Sequence, residues 1–180
     1  VRHEVVPSAD AKFHVEFMRE EVMDPKLEPM AAAEVPVSIR KSIYPPPFSA
    51  RVEGRTKRRL GDHFGLTNFG VNLTELAPGA ASALLHHHTL QDEFVYVVSG
   101  TATLLLDEKA YTLQAGDCCG FKAGTGIGHQ LVNRSGEPVL YLEVGDRTAG
   151  DYATYPGDDL KFTQLNDGAW ILTHKDGTPY

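Results

Sequence analysis

Short runs of strand-forming residues, separated by turn residues, constrain this chain most strongly. From Val37 onward, apolar, aromatic and threonine-rich segments alternate with Gly, Pro, Asn and Asp clusters about every 8–12 residues. Ser99-Gly100 and Asn166-Asp167-Gly168 predict tight turns. Roughly ten short strands predict an all-β sandwich or barrel such as a jelly roll. The predicted strands are Val37–Tyr44, Leu66–Leu76, Ser82–His88, Glu93–Val98, Thr101–Leu106, Ala110–Leu113, Asp117–Phe121, His129–Asn133, Val139–Val144 and Ala169–Thr173.

The first 36 residues have a different pattern from the rest of the chain. We interpret residues 1–36 as an N-terminal arm and residues 37–180 as one domain, which is long enough to bury a sizeable core. The mixed apolar and charged segment Ala11–Met23 predicts a short helix, and Pro25 and Pro29 follow it. The arm is expected either to wrap on the domain or to act between subunits.

Charge and cysteine content limit the partners and the compartment. A net charge of −7 argues against a nucleic-acid or anionic-membrane partner. No apolar run approaches the roughly 20 residues that a membrane-spanning helix needs. The two cysteines, Cys118 and Cys119, are adjacent, which points to a reducing compartment rather than a disulfide-stabilised protein. We therefore expect a cytoplasmic protein.

Three adjacent histidines, His86, His87 and His88, lie just ahead of Glu93. In an extended segment the side chains at i and i+2 share a face, so His86 and His88 project together and His87 projects the other way. A short turn leads to Glu93, whose carboxylate can return to the same face. Two imidazoles and a carboxylate suit a divalent ion of Mn, Fe, Ni, Cu or Zn.

A fourth ligand has to come from elsewhere in the chain, and His129 is the best candidate. It begins a predicted strand directly after the glycine-rich loop Ala123–Gly128. The alternative for these histidines is an ordinary core or surface position, or a solvated turn. An H-x-H pair followed at this distance by an acid on the next strand favours the metal site.

The glycines on either side of the histidine triplet complete a longer pattern. Gly79, His86, His88, Glu93 and Gly100 together resemble the first motif of the cupin superfamily, G-(X)5-H-X-H-(X)3,4-E-(X)6-G. One residue is added after the first glycine.

The second cupin motif, G-(X)5-P-X-G-(X)2-H-(X)3-N, resembles the segment from Gly116 through Gly124 and His129 to Asn133. Lys122 stands where that motif has proline, and two residues are added before the histidine. The resemblance extends beyond the motifs to small bacterial single-domain cupins. The segments that carry it are 58–62, 69–73, 142–147 and 174–180.

The resemblance implies a double-stranded β-helix, which is a jelly-roll barrel with a metal ion in its mouth. The ligands that it implies are His86, His88, Glu93 and His129. The implied cofactor is one divalent transition metal: Zn, Mn, Fe or Ni. The longer loop before His129 changes the rim of the cavity, and with it the size of substrate that the cavity admits.

Asn72 and Glu143 are the candidate catalytic residues, because each alternates with apolar neighbours along a predicted strand. Such a side chain can face the cavity, where a carboxylate can act as a general base, or it can face solvent as an ordinary surface residue.

One basic cluster stands out in this acidic chain: Arg51, Arg55, Lys57, Arg58 and Arg59. Such a run usually forms a solvated face. The alternatives are an anchor for an acidic substrate and a salt-bridge network between subunits.

Fold and ligands leave the function open. The chain can be a metal-dependent enzyme acting on a small oxygenated organic molecule, as an oxygenase or as an isomerase or lyase. It can instead be a non-catalytic binding or sensory protein for a small molecule such as a sugar or organic acid, or a structural protein with a vacant site. The full ligand set argues against the last of these, and no helix-turn-helix supports a regulator. Exposed sheet edges and the arm predict a homodimer.

Overall fold

The computed structural model describes residues 28–39, 42–164 and 170–180. The predicted helix Ala11–Met23 and the predicted turn at residues 166–168 lie outside these ranges. The strands are β1 (Arg55–Arg59), β2 (Phe69–Leu76), β3 (His87–His88), β4 (Glu93–Ser99), β5 (Thr101–Leu106), β6 (Lys109–Gln114), β7 (Cys118–Phe121), β8 (His129–Val132), β9 (Val139–Asp146), β10 (Tyr152–Thr154), β11 (Lys161–Gln164) and β12 (Trp170–Thr173). A short helix, α1 (Leu60–His63), follows β1, and 3-10 turns span Ala32–Glu34 and Phe48–Val52.

The strands form three sheets in which neighbouring strands are antiparallel. A five-stranded sheet has the order β1-β2-β9-β4-β7, and a three-stranded sheet has the order β6-β5-β8. A four-stranded sheet, β12-β11-β10-β3, contains the end of the histidine triplet. The non-consecutive neighbours are crossovers between sheets, as in a jelly roll. The all-β prediction is confirmed.

Strand β4 shows why the sequence folds in this way. Val95 and Val97 are buried, whereas the alternate residues Phe94, Tyr96 and Val98 are 40–42% exposed. This period of two places one face of the strand on the core. Glu93 belongs to the inward set, which is how a carboxylate comes to face the interior.

Several predicted strands need correction. Val37–Tyr44 is not a strand in the described part of this segment, where Val37 forms only an isolated bridge to Arg58. Ser82–His88 shortens to β3, with separate bridges at Ala81 and His86. β1, β10 and β11 were not predicted. β1 has the sequence RTKRR, which lacks the apolar alternation that usually marks a strand.

Two clusters of buried side chains lie between the sheets. Each large apolar side chain in them stabilises the fold by about 1.5–3 kcal/mol relative to an exposed one. The first cluster contains Leu76, Ala80, Val95, Val97, Ala102, Leu104, Leu131, Val139 and Tyr141. The second contains Tyr44, Val52, Leu84, Ala153, Tyr155, Leu160 and Phe162.

The segment before the first strand lies along β1. Val35 is buried, its carbonyl oxygen accepts a hydrogen bond from Arg58, and the Ser38 amide donates to the Lys57 carbonyl at 2.7 Å. The division between residues 1–36 and 37–180 stays a prediction, as does the homodimer. Within the described residues, no helix is long and apolar enough to cross a membrane.

Replacing Gly100 with alanine should destabilise the protein by about 3 kcal/mol, measured by denaturant unfolding. Gly100 has a φ of 81°, and an added Cβ would lie 2.5 Å from the Pro138 carbonyl oxygen. Left-handed backbone costs an alanine about 1–2 kcal/mol, and the steric overlap with backbone adds to that cost.

Gly79 is the matched control, because its φ is 82° and a Cβ there would meet nothing within 4 Å. Gly79→Ala should therefore cost only about 1–2 kcal/mol, from the backbone alone. Equal losses for the two variants would contradict the steric argument.

Candidate metal centre

The backbone brings two distant histidines together. The amide of His129 donates to the His86 carbonyl at 2.8 Å, and the amide of His86 donates to the His129 carbonyl at 3.2 Å. This bridge places the two rings with their centroids 4.5 Å apart. His88 follows two residues after His86, and their ring centroids are 5.1 Å apart.

The three imidazoles converge on one carboxylate oxygen, Oε2 of Glu93. The Nε2 atoms of His86, His88 and His129 lie 3.6, 3.5 and 2.8 Å from it. Burial disfavours the ionised form of Glu93, but the hydrogen bond with His129 and the nearby His86 outweigh burial and hold the pKa of this carboxyl well below its usual range. Glu93 is therefore a carboxylate at neutral pH.

Hydrogen bonds on the far side of two rings fix their tautomers. His86 Nδ1 lies 2.8 Å from the Leu84 carbonyl oxygen, and His88 Nδ1 lies 2.5 Å from Asp151 Oδ2. Both partners are acceptors, so each Nδ1 carries the proton and donates it. In the neutral rings, each Nε2 then presents its lone pair toward Glu93. This is how proteins orient histidines that bind metal ions.

These residues fit a divalent transition metal. Burial lowers the pKa of His88, but Asp151 and Glu93 raise it by more, so this pocket favours positive charge. A cation placed between the Nε2 atoms and the Glu93 carboxylate would supply that charge. His86, His88 and Glu93 offer donor atoms that all lie within 4.8 Å of one another. Nitrogen and carboxylate donors suit Zn, Mn, Fe or Ni. His86, His88 and Glu93 therefore form a candidate metal-binding triad.

His129 is placed differently from the other two histidines. Its ring stacks on Phe121 at a centroid distance of 3.8 Å, and its Nδ1 is buried without a hydrogen-bond partner among the described residues. Burial lowers the pKa of His129 more than Glu93 raises it, so the ring is neutral. The 2.8 Å contact between Nε2 and Glu93 puts the proton on Nε2. His129 as a ligand stays a prediction that requires this proton to move.

Asp151 is a residue of the site that sequence reasoning missed. It is fully buried and, besides His88, accepts hydrogen bonds from the backbone amides of Thr89 and Leu90 at 3.0 and 2.7 Å. Burial raises the pKa of Asp151, but His88, the Leu90 amide and the Thr89 hydroxyl together lower it by more, so the pKa lies below its ordinary value. Asp151 is 63 positions from His88, and no local motif signals its role.

A cavity of about 850 Å³ opens beside the histidines. Both candidate catalytic residues, Asn72 and Glu143, line it together with His86, Glu93 and His129. This volume suits a small-molecule ligand. Glu143 thus faces the cavity and not solvent, because Asn72 and Glu143 are cross-strand partners on the inner face of β2 and β9.

Glu143 is held by three polar side chains. Its Oε1 accepts hydrogen bonds from Lys57 and, at 2.9 Å, from the Asn72 amide, and its Oε2 accepts one from the Tyr141 hydroxyl at 3.2 Å. Burial raises the pKa of Glu143, but the Lys57 charge and hydrogen bond outweigh burial and lower it. Glu143 is therefore ionised at neutral pH.

Comparison with known proteins shows which family and which solved structures this chain is similar to. The family model of the cupin domain matches residues 72–145. A sugar phosphate isomerase from a cupin superfamily of Silicibacter pomeroyi is 41% identical, with a TM-score of 0.79, over 85% of this chain and 96% of that one. A proposed sugar phosphate isomerase from Acidithiobacillus ferrooxidans is 31% identical, with a TM-score of 0.63, over 70% of this chain and 80% of that one.

A more distant structure shares the fold alone. The polyketide cyclase RemF from Streptomyces resistomycificus is 18% identical, with a TM-score of 0.54, over 67% of this chain and 79% of that one. No protein with a curated description matches this chain. The predicted fold is confirmed by these structures.

Replacing Asp151 with asparagine should weaken the binding of Zn²⁺ or Mn²⁺ about 10–100-fold by isothermal titration calorimetry. The amide removes the charge that orients His88, and it cannot accept hydrogen bonds at both of its ends.

Asp159 provides the matched control. It is a surface aspartate whose carboxylate lies 2.8 Å from His174 Nδ1, away from the cavity. Asp159→Asn should leave metal affinity unchanged. Wild-type affinity in the Asp151 variant would show that His88 does not depend on this hydrogen bond.

Proposed function

This chain belongs to the cupin superfamily, and we propose that it is a metal-dependent isomerase that moves a proton between adjacent carbons of a small sugar phosphate. The observation that carries the proposal is the ionised Glu143, which shares one cavity with His86 and Glu93, two members of the donor group that His88 completes. Relatives at 41% and 31% identity bear the isomerase name, which favours this chemistry over oxygenase or lyase chemistry.

The metal-binding residues have one role in this proposal. A divalent ion held by His86, His88 and Glu93, with His129 as the expected fourth ligand, would polarise a substrate carbonyl and acidify the adjacent C–H bond. The hydrogen bonds from His86 to Leu84 and from His88 to Asp151 keep the Nε2 atoms of the two imidazoles facing Glu93, which lines the cavity.

Glu143 is the proposed general base. Its carboxylate takes the proton from the hydroxyl-bearing carbon next to the carbonyl and returns it to the former carbonyl carbon. The proton of that hydroxyl group passes to the former carbonyl oxygen, so that an aldose and a ketose interconvert without any redox partner. The hydrogen bonds from Lys57, Asn72 and Tyr141 fix both carboxylate oxygens. Such fixed geometry favours proton transfer, because little reorganisation is needed.

A second candidate is a protein that binds a sugar phosphate without converting it. The observation that favours this alternative is the ion pair between Lys57 and Glu143, which lowers the pKa of the carboxyl and so makes it a weaker base. The same cavity and metal-binding residues would then serve recognition alone.

Glu143→Gln should lower the isomerisation rate about 10²–10⁴-fold and leave metal content unchanged, because it removes only the base. The assay is deuterium uptake from D₂O into a panel of aldose and ketose phosphates, followed by mass spectrometry of metal-loaded protein.

Glu75→Gln is the matched control, since Glu75 is an exposed carboxylate on β2. It should retain the wild-type rate. Metal-loaded wild-type protein that binds these sugar phosphates yet incorporates no deuterium would refute the isomerase and favour the binding protein.

Lys57→Met should raise the pKa of Glu143, because burial would no longer be opposed by the lysine charge. In the wild type the Glu143 carboxyl has a lowered pKa, so it stays ionised to a lower pH than an ordinary glutamate does. In the variant, protonation and loss of activity should begin at a higher pH. Carbon-13 NMR of the glutamate carboxyl carbons in Zn-loaded protein measures the shift directly.

The control for this variant is Lys109→Met, which changes an exposed lysine on β6. It should leave the Glu143 titration where it is. An unchanged titration in Lys57→Met would show that lysine does not set the basicity of the site.

A further inference from the structure

The basic cluster of the sequence separates into two groups with different surroundings. Arg51 pairs with Asp158 at 2.5 Å outside the cavity, and Arg58 donates to the Val35 carbonyl oxygen. Both therefore support the fold. Arg55, Lys57 and Arg59 instead line the cavity.

The three basic residues that line the cavity do so because of strand geometry. Arg55, Lys57 and Arg59 occupy alternate positions of β1, so their side chains share one face. The register pairs Arg55 with the buried Leu76 and Arg59 with the half-buried Asn72. The row of cations therefore runs along the wall beside Glu143.

Two members of the row are matched by carboxylates. Lys57 pairs with Glu143, as described above. Arg59 lies 3.6 Å from Asp62, and Arg147 at the rim donates to the same aspartate. One carboxylate thus serves two arginines at the rim.

Arg55 is the member without such a match. Its guanidinium donates to the Ser82 carbonyl oxygen, and its charge contributes to the lowered pKa of Glu143. Within the described part of the chain, however, none of the ion pairs within 4.0 Å involves Arg55. Burial raises the pKa of Tyr44 and Tyr141, and the Arg55 charge offsets part of that rise. A half-buried cation among tyrosines is costly unless an anion joins it.

The charge of the whole cavity supports an anionic ligand. Four cationic side chains and four carboxylates line it, so with neutral histidines they balance. Asp62, which pairs with Arg59 and Arg147 from outside the lining, adds one negative charge, so a divalent ion would leave one positive charge in excess. The cationic side chains are Arg55, Lys57, Arg59 and Arg147, and the carboxylates are Glu53, Glu93, Glu143 and Asp146.

We infer that Arg55 binds the phosphate group of the substrate. The sugar carbons then extend toward Glu143 and the donor group formed by His86, His88 and Glu93. This inference rests on the proposed function for the identity of the ligand, but the site itself rests on the unmatched guanidinium. Arginine presents two parallel N–H donors to a phosphate, and Tyr44 adds a hydroxyl to the same region of the cavity.

The test is calorimetric titration of the purified full-length chain with inorganic phosphate. Arg55→Met should weaken phosphate binding at least about tenfold, and Arg55→Lys, which keeps the charge but loses the paired donors, should fall between it and the wild type. Arg51→Met is the matched control and should bind phosphate as the wild type does, since Arg51 lies outside the cavity.

Acetate provides the second arm of the titration. Phosphate binding that is tighter than acetate binding and depends on Arg55 supports the subsite. Wild-type phosphate affinity in Arg55→Met, an equal loss in Arg51→Met, or acetate binding tighter than phosphate would each overturn it. Arg55→Lys keeps the test decisive if the methionine variant fails to fold.

The phosphate titration tests the Arg55 subsite independently of the isomerase proposal, because phosphate binding requires no turnover. Phosphate binding that depends on Arg55, in a protein that incorporates no deuterium, would support the subsite and refute the isomerase. Deuterium incorporation with an unchanged KM in Arg55→Met would support the isomerase and refute the subsite.

Discussion

The convergence of imidazole nitrogens on Glu93 is the interaction on which the site depends. Two ring nitrogens whose protons are held elsewhere, by Leu84 and Asp151, face an ionised carboxylate. The carboxylate favours positive charge at these nitrogens, and a bound cation would supply it. The backbone bridge between His86 and His129 fixes the arrangement before any ion arrives, so the protein provides a preorganised set of donors.

A second balance of charge lies at Glu143, on β9, which neighbours β4 in the same sheet. Lys57 neutralises Glu143 while keeping it ionised, and Asn72 and Tyr141 fix its direction. The lysine therefore has opposing effects, since it guarantees the anionic form but weakens it as a base. Which effect dominates separates an isomerase from a protein that only binds its ligand. Arg55, which has no carboxylate of its own, is where the same cavity can receive an outside anion.

The sequence predicted the fold and the location of the site better than its details. The alternation of β4 and the spacing of His86, His88 and Glu93 are local, so they could be read directly. Asp151 could not, because its partner is 63 positions away and its burial depends on tertiary packing. β1 was missed for a related reason, since its charged residues face a polar cavity and the apolar alternation typical of strands is absent. The inward position of Glu143 likewise depended on its pairing with Asn72 across two strands.

Asp151 also joins parts of the molecule that are distant in the chain. One of its oxygens holds His88, while the other holds the amides of Thr89 and Leu90, and β10 begins at the next residue. Any ion that draws His88 toward Glu93 also favours the ordered form of this connection. By thermodynamic linkage, the rigidity of the four-stranded sheet then favours ion binding to the same extent. Occupancy of the centre would thus be recorded as slower amide exchange in β10, a strand that supplies no donor atom.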